Sequence, residues 1–132
     1  MAYTSTTLSL AMIEFLSHLG LEDLDPNSPP ELVTVAAEIA DRDVGTLAQL
    51  GALLPEDWRT TPPPVELAAI GDRWIARSET LALAVPSCHL PDAALEGNVL
   101  INPRHRAFPA VRPAIAPFAY DKRLLARRPD RP

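Results

Sequence analysis

The sequence predicts an α+β fold in a single domain, and three observations support this. Apolar residues recur at helical spacing over 6–19 and 64–77, which is typical of packed helices. Helices and strands do not alternate regularly, as they do in a doubly wound parallel sheet. Short apolar segments between turn signals are predicted strands, and they cover 32–39, 80–85, 98–101 and 114–120. We therefore expect a compact domain with a small mixed sheet and flanking helices.

The first predicted helix, 6–19, is apolar on most of its surface. Thr4 to Thr6 offer hydroxyl groups for its N-cap. One stripe has i, i+3, i+4 spacing and comprises Leu8, Ala11, Met12, Phe15, Leu16 and Leu19, while Leu10 and Ile13 lie on the other side. A helix that is apolar nearly all round is expected to be buried.

The other segments complete the predicted order. An acidic loop interrupted by prolines, 22–31, precedes the first strand, and a short helix is predicted over 46–54. The last strand is expected at a sheet edge because it contains proline, and the tail from Arg127 is expected to be frayed. One face of the first strand comprises Val33, Val35, Ala37 and Ile39, and the core stripe of helix 64–77 comprises Leu67, Ile70 and Trp74.

Composition narrows the classes of function. The chain has 132 residues, 47% of them apolar, which suits one domain with a core. No apolar run reaches the roughly 18 residues of a membrane span, and the first residues lack the basic region of a secretory signal. The single cysteine excludes an internal disulfide, and the three histidines lack zinc-site spacing. We expect a cytoplasmic, metal-free protein that does not bind membranes.

Charge is unevenly distributed along the chain. Residues 1–66 include 11 acidic and 2 basic residues, whereas 67–132 include 6 acidic and 10 basic residues. The basic half fits a solvated tail, and it equally fits a surface for an acidic partner or a phosphate-bearing ligand. Because the whole chain is acidic and few aromatics accompany the basic residues, we do not expect direct nucleic-acid binding.

Glu14 is the most informative single residue. Its carboxylate lies in the middle of the first helix, close to Leu10 and Ile13. An ionised carboxylate is costly to bury unless it is paired or used in function. The alternative is that Glu14 faces solvent or pairs with His18 one turn later. The residue types alone leave both interpretations open.

Other candidates lie beyond the predicted strands. Ser87 comes directly after strand 80–85, where site residues are common, although a serine beside proline is more often a turn former. Cys88 and His89 are adjacent on extended chain and therefore point apart, which argues against a thiol–imidazole pair. Arg104 could bind phosphate, although a solvated arginine is the more common case.

Six segments, in chain order, resemble the RES domain, a family named for an arginine, a glutamate and a serine. They are Tyr3-Thr4 with the helix bearing Glu14 and then His18-Leu19; Leu54-Pro55-Glu56-Asp57-Trp58-Arg59; Gly71-Asp72-Arg73-Trp74 with Ser78; Val85-Pro86-Ser87; Asn98 with Leu100-Ile101-Asn102-Pro103-Arg104-His105; and Phe118 to Asp121. Each motif is weak by itself, but six in register over nearly the whole chain are specific.

The resemblance implies a fold related to the ADP-ribosyltransferases and an enzyme that breaks the nicotinamide–ribose bond of NAD⁺. Glu14 is then the catalytic glutamate, and Ser87 is the family serine that would hydrogen-bond the nicotinamide ribose or amide. Tyr3 would stack on nicotinamide, and Asn98 would join the NAD⁺-binding residues. The ADP-ribose would pass to water, phosphate or a protein, and some family members modify phosphoribosyl pyrophosphate synthetase.

The resemblance also implies a partner. RES-domain toxins belong to type II toxin–antitoxin modules, so we expect a cognate Xre-type antitoxin. Its C-terminal segment would cover the NAD⁺ cleft beside Glu14 and Ser87.

One departure from the family pattern concerns the start of the chain. The family has a Gly-Gly-Arg-Trp-like segment before its Tyr-Thr motif, and none of the eleven arginines here precedes Glu14. We therefore expect residues 1–132 to be a RES domain that lacks the N-terminal segment. Such a chain should bind NAD⁺ poorly unless another base such as Arg104 substitutes, and it should self-associate, for example as a homodimer. The alternative to an enzyme is an inactive RES fold that only binds its antitoxin.

Overall fold

The computed structural model describes residues 1–19, 30–92, 96–121 and 124. Most of the predicted loop 22–31, and the tail from Arg127, lie outside these residues. The strands are β1 (Ala2–Ser5), β2 (Leu32–Ala36), β3 (Val44–Thr46), β4 (Ala82–Val85), β5 (Asn98–Ile101) and β6 (Ala114–Phe118). The helices are α1 (Leu8–His18), α2 (Leu47–Leu50) and α3 (Val65–Arg77), with 3₁₀ turns at Asp41–Asp43 and Phe108–Ala110.

Four strands form a mixed sheet in the order β1-β5-β4-β3. Strand β5 is antiparallel to both β1 and β4, whereas β3 runs parallel to β4. Strands β2 and β6 form a separate antiparallel pair. The prediction of a small α+β domain with a mixed sheet and flanking helices is therefore confirmed.

Strands β1 and β3 are not predicted from the sequence. Because β1 occupies Ala2–Ser5, helix α1 begins at Leu8 and not at residue 6. The N-cap is Thr7, whose Oγ1 accepts the backbone N–H of Leu10 at 3.2 Å. Tyrosine and threonine favour strands, but a four-residue strand is too short for its alternation to stand out.

The burial of α1 differs from the prediction. Its two buried side chains are Leu10 and Glu14, while Leu8 of the predicted core stripe is 53% exposed. The other members of that stripe are only half-buried. The prediction of a helix buried all round is therefore wrong, and the face turned into the protein carries a carboxylate.

The β2–β6 pair presents apolar side chains to solvent. Val33 and Val35 are each 62% exposed, and Ile115, which pairs with Val35, is 68% exposed. The two strands lie where they were predicted, but β2 ends at Ala36 and β6 at Phe118. The face that Val33 and Val35 share is therefore open to solvent rather than packed on the core.

The core lies between α3 and the middle of the four-stranded sheet. Trp74 is 2% exposed and packs with Leu83 and Leu100, with Ile70 partly buried beside them. The predicted helix 46–54 is shorter than expected. It spans Leu47–Leu50 and ends at Gly51, whose φ of 65° is readily adopted by glycine. Among the described segments, no helix is long and apolar enough to cross a membrane.

Candidate active site

Four side chains named from the sequence converge where α1 crosses the sheet. Tyr3 comes from β1, and Asn98 is the first residue of the neighbouring strand β5. Val85, the last residue of β4, pairs with Asn98 on the other side. Ser87 follows Val85 by two residues and therefore lies at the same end of the sheet. Glu14, one turn after Leu10 on α1, reaches this point from the helix.

Glu14 is held by two short hydrogen bonds to one of its oxygens. Ser87 Oγ and Asn98 Nδ2 both donate to Glu14 Oε1, each at 2.6 Å. The side chain is 6% exposed. A buried carboxylate that accepts two donors is paired rather than stranded. The alternative that Glu14 faces solvent is therefore wrong.

His18 does not pair with the Glu14 carboxylate in the manner considered from the sequence. Its ring Nδ1 lies 2.8 Å from the backbone oxygen of Glu14 and 3.1 Å from Ser17 Oγ. The imidazole thus binds the last turn of α1, where a cation or N–H donor is favourable.

Asn98 joins the separate parts of the site. The amide is fully buried, and its Oδ1 accepts the Ser5 hydroxyl at 2.8 Å. Its Nδ2 donates to the Tyr3 hydroxyl as well as to Glu14. A side-chain amide has one acceptor and two donor hydrogens, and here all are used. Asn98 therefore fixes the position of Glu14 relative to Tyr3.

Ser87 is fully buried and has no hydrogen-bonding capacity left over in this structure. Its proton goes to Glu14, and its oxygen accepts the backbone N–H groups of His89 at 3.1 Å and Leu90 at 3.4 Å. A hydroxyl has one donor hydrogen and two acceptor lone pairs. This geometry suits a residue that orients Glu14, rather than one that meets a ligand directly.

The surroundings of Glu14 favour its ionised form. Burial is the largest influence and acts to raise its pKa. The hydrogen bonds from Ser87 and Asn98, with the nearby His89 and His18, outweigh burial, so the pKa lies below its ordinary value of 4.5. Glu14 is therefore a carboxylate at neutral pH.

Tyr3 keeps its proton under the same conditions. Burial of the hydroxyl, followed by the negative charge of Glu14, raises the pKa of Tyr3 to about 12. The side chain as a whole is 52% exposed, so the ring remains available while the hydroxyl is fixed by Asn98. The predicted stacking on a ligand ring stays a prediction.

His89 is a site residue that the sequence reasoning missed. Its Nε2 lies 3.6 Å from Oε2 of Glu14, the oxygen that Ser87 and Asn98 do not use. The imidazole side chain is 34% exposed. Cys88 is exposed and lines the same cleft, but it is His89 that lies close to the carboxylate. The signal that could have found it is a second ionisable side chain two residues after Ser87.

The site opens into a cleft of about 1170 Å³ between α1, the end of the sheet and the segment before α3. Tyr3, Glu14 and His89 line it, together with Trp58 and Arg59 of the Leu-Pro-x-x-Trp-Arg segment. Among its described lining residues Arg59 is the one arginine, and within the described part of the chain it makes no ion pair. No described group of three His, Cys, Asp or Glu side chains is placed to hold a metal ion.

Arg104, which the sequence offered as a substitute phosphate ligand, does not line this cleft. Its backbone N–H donates to Asn102 Oδ1 at 3.0 Å in the turn after β5. His105, the last residue of that motif, is buried, and its Nδ1 accepts the N–H of Ala107 at 3.2 Å. The Asn-Pro-x-His segment thus folds as a turn, and only Asn98 of that motif reaches Glu14.

Fold and site together define an α+β domain with a buried, ionised carboxylate at the base of an open cleft. The chain belongs to the RES domain family, whose model matches residues 1–123. It is similar to a protein named "Toxin Res" of Yersinia enterocolitica serotype O:8 / biotype 1B, with 36% identity over 124 residues, 92% of this chain and 76% of the relative. It is also similar to "Toxin Res" of Photorhabdus laumondii subsp. laumondii, with 30% identity over 106 residues, 80% of this chain and 62% of the relative.

The matches thus cover about three quarters and three fifths of these two relatives' own lengths. The family resemblance predicted from the six segments is confirmed. The roles assigned to Glu14, Ser87, Tyr3 and Asn98 stay predictions, although the structure brings all four side chains together.

Proposed function

We propose that this protein is a toxin that cleaves NAD⁺ at the bond between nicotinamide and ribose. The observation that carries the proposal is the Glu14 carboxylate, buried, ionised and fixed by two donors beside a cleft. Membership of the RES domain family and two relatives named as toxins support the toxin assignment.

The reaction needs a fixed negative charge. When the nicotinamide–ribose bond breaks, its electron pair goes to the pyridinium nitrogen and neutral nicotinamide leaves. Positive charge develops on the sugar, as in the transition state of glycoside hydrolysis. A carboxylate held in a site shielded from water stabilises that charge without having to reorganise. Because Ser87 and Asn98 both bind Oε1 of Glu14, Oε2 is the oxygen left to face the ribose.

The cleft has room for a dinucleotide. Ligand pockets are commonly about 300–1,000 Å³, and this open cleft of about 1170 Å³ is somewhat larger than that range. Its lining offers the half-exposed ring of Tyr3 and the indole of Trp58 for flat rings. Arg59 offers a cation for the pyrophosphate. These features fit the three chemical parts of NAD⁺.

Release of nicotinamide from NAD⁺ by the purified protein is the decisive measurement. Activity above the rate without protein supports the proposal. If binding of an antitoxin is retained while nicotinamide release is absent, the alternative of an inactive RES fold is favoured. Labelled NAD⁺ with and without phosphate or cell lysate then identifies the acceptor, because free ADP-ribose, ADP-ribose phosphate and a labelled protein band are distinct products.

Arg59 is expected to bind the pyrophosphate of NAD⁺. Replacing it in Arg59→Ala should weaken NAD⁺ binding by about 10- to 100-fold, since a charge-assisted hydrogen bond contributes roughly 1.5–3 kcal/mol. Titration calorimetry measures the change. ADP-ribose, which keeps the pyrophosphate, should lose affinity in parallel.

Arg104→Ala is the matched control for Arg59→Ala, because it removes an exposed arginine outside the cleft. It should leave NAD⁺ affinity unchanged. If Arg104→Ala weakens binding and Arg59→Ala does not, the sequence-based choice of Arg104 is right and the assignment of Arg59 fails.

Ser87 is expected to act through Glu14. Ser87→Ala should lower kcat for nicotinamide release by about 10- to 100-fold with little change in KM, because losing one donor to a buried carboxylate costs roughly 1–3 kcal/mol. Ser9→Ala is a matched control. Ser9 lies on α1, the helix that carries Glu14, but its hydroxyl binds Glu96 at an exposed position. A rise in KM with kcat unchanged would instead support direct contact between Ser87 and NAD⁺.

The partner follows from the toxin assignment. A toxin that consumes NAD⁺ in the cell that makes it must be held inactive, so we expect an antitoxin that occupies the cleft. Its binding would compete with NAD⁺, and inhibition would be stoichiometric when the complex is tight. The Xre type of the antitoxin and the protein acceptor remain part of this proposal.

A further inference from the structure

His89 is placed to exchange a proton at the site, and neither the family match nor the named relatives assign it a role. Its Nε2 lies 3.6 Å from Glu14 Oε2. That distance is too long for a hydrogen bond, but it is short enough for strong attraction between an imidazolium and a carboxylate. The imidazole lines the cleft and is 34% exposed, so a small molecule in the cleft can reach it.

The backbone of His89 is fixed independently of its ring. The His89 N–H donates to Ser87 Oγ at 3.1 Å, and Ser87 Oγ in turn donates to Glu14 Oε1. One serine therefore sets the positions of both ionisable groups. The side chains of Glu14 and His89 meet at the remaining carboxylate oxygen, Oε2.

The proposed reaction has a proton that needs a destination. When an acceptor hydroxyl attacks the sugar, its oxygen forms a bond to the anomeric carbon as nicotinamide departs with the electron pair of the broken bond. The acceptor's O–H bond must then break, and its proton must go to a base. Glu14 is poorly suited to hold it, because its lowered pKa keeps it ionised.

We propose that His89 is a catalytic residue whose neutral imidazole turns its Nε2–H toward Glu14 Oε2 and accepts the proton of the incoming acceptor at Nδ1, the other ring nitrogen. Glu14 Oε2 then stabilises the imidazolium that results. This inference rests on the proposed NAD⁺ cleavage. A carboxylate that supports a histidine base is a recurring arrangement in enzymes. Here the same carboxylate also balances the charge on the sugar, so both positive charges develop beside one anion.

The charged and titratable groups around His89 are compatible with this role. From α1 it faces Glu14. His18 and the Tyr3 hydroxyl both lie close enough to Glu14 to interact with its charge. Cys88 precedes it in the chain, and Asp72 of α3 and Arg59 line the same cleft. Tyr3 keeps its proton because its pKa is raised to about 12, so it does not compete as a base.

The test is nicotinamide release by His89→Asn with two kinds of acceptor. With water as acceptor, the rate should fall by about 10²- to 10³-fold, the range of general base catalysis. Azide attacks without losing a proton. Added azide should therefore restore the rate of His89→Asn to within about tenfold of the parent and give azido-ADP-ribose. The parent should gain little from azide.

His105→Asn is the matched control. This histidine lies outside the cleft, and the asparagine Oδ1 can replace Nδ1 as the acceptor of the Ala107 N–H. It should retain the parent rate. Thermal unfolding of both variants checks that they are folded.

The outcomes separate the inference from the function on which it rests. If the parent protein releases no nicotinamide, both the proposed function and this inference are wrong. If the parent is active and His89→Asn equals it, His89 is not the base. If His89→Asn is slow and azide does not restore it, His89 only orients Glu14, and the proton-acceptor role is wrong.

Discussion

Glu14→Gln is expected to reduce nicotinamide release from NAD⁺ by about 10³-fold, or roughly 4 kcal/mol of transition-state stabilisation. The substitution removes the negative charge that would balance the sugar cation. It keeps the shape of the side chain and an oxygen that can accept the hydrogen bonds from Ser87 and Asn98. The fold should therefore survive, and NAD⁺ affinity should change much less than kcat.

Glu96→Gln provides the matched control for Glu14→Gln. Glu96 accepts hydrogen bonds from Thr7 and Ser9 at the start of α1, outside the cleft, so the same chemical change there should leave turnover intact. Circular dichroism and thermal unfolding establish that both variants are folded. If a folded Glu14→Gln protein keeps full turnover, Glu14 is not a catalytic residue, and the observation that carries the proposed function is lost.

The pH dependence of stability gives a second measurement on Glu14→Gln. The pKa of Glu14 is lowered in the folded protein, so its ionised form stabilises the fold above the ordinary value of 4.5. That contribution is lost as the pH falls through the lowered pKa. Chemical unfolding of the parent should therefore show a fall in stability on acidification that is smaller in Glu14→Gln.

Much of the fold could be predicted from periodicity. Helix 64–77 differs from α3 (Val65–Arg77) by one residue, and strand 98–101 coincides with β5 (Asn98–Ile101), because flanking prolines and apolar spacing mark their ends. Strands β1 and β3 could not be predicted, since four and three residues give no readable alternation. Their presence depends on pairing with β5 and β4, which lie distant in sequence.

Only some residues of the candidate site could be named from the sequence. Glu14 could be suspected because a carboxylate on an apolar helix is costly without a partner. Ser87 was a candidate from its position after a strand and Asn98 came from the family resemblance, but nothing in their local sequence shows that they would meet Glu14. His89 was missed, because its proximity to Glu14 depends on how the chain turns after β4 and on Ser87 binding its backbone N–H.

Asn98→Asp is expected to have the largest effect on stability. The amide is fully buried and donates to Glu14 Oε1, so the aspartate would place a second carboxylate against the first in a buried site. At neutral pH the free energy of unfolding should fall by about 3–5 kcal/mol, the usual cost of an uncompensated buried charge. Nicotinamide release should be lost as well, because Glu14 loses a donor and gains a repelling neighbour.

Asn102→Asp separates repulsion by Glu14 from the general cost of a buried aspartate. Asn102 is also buried, and its Oδ1 accepts the Arg104 N–H, which an aspartate can still do. Within the described residues its Nδ2 makes no hydrogen bond, so this variant loses no donated bond. Asn98→Asp should therefore be clearly less stable than Asn102→Asp when both are measured by urea unfolding.

The pH dependence and a double variant identify the cause of the Asn98→Asp effect. Burial and the charge of Glu14 should raise the pKa of the new aspartate above its ordinary value of about 3.9. The loss of stability caused by Asn98→Asp is then smallest below the ordinary pKa of aspartate, and it grows as the pH rises toward the raised pKa. Adding Glu14→Gln removes the repelling charge and supplies an amide donor, so the double variant should regain on the order of 1–3 kcal/mol relative to additivity. Additive losses in the double variant would show that the two side chains do not interact as the structure describes.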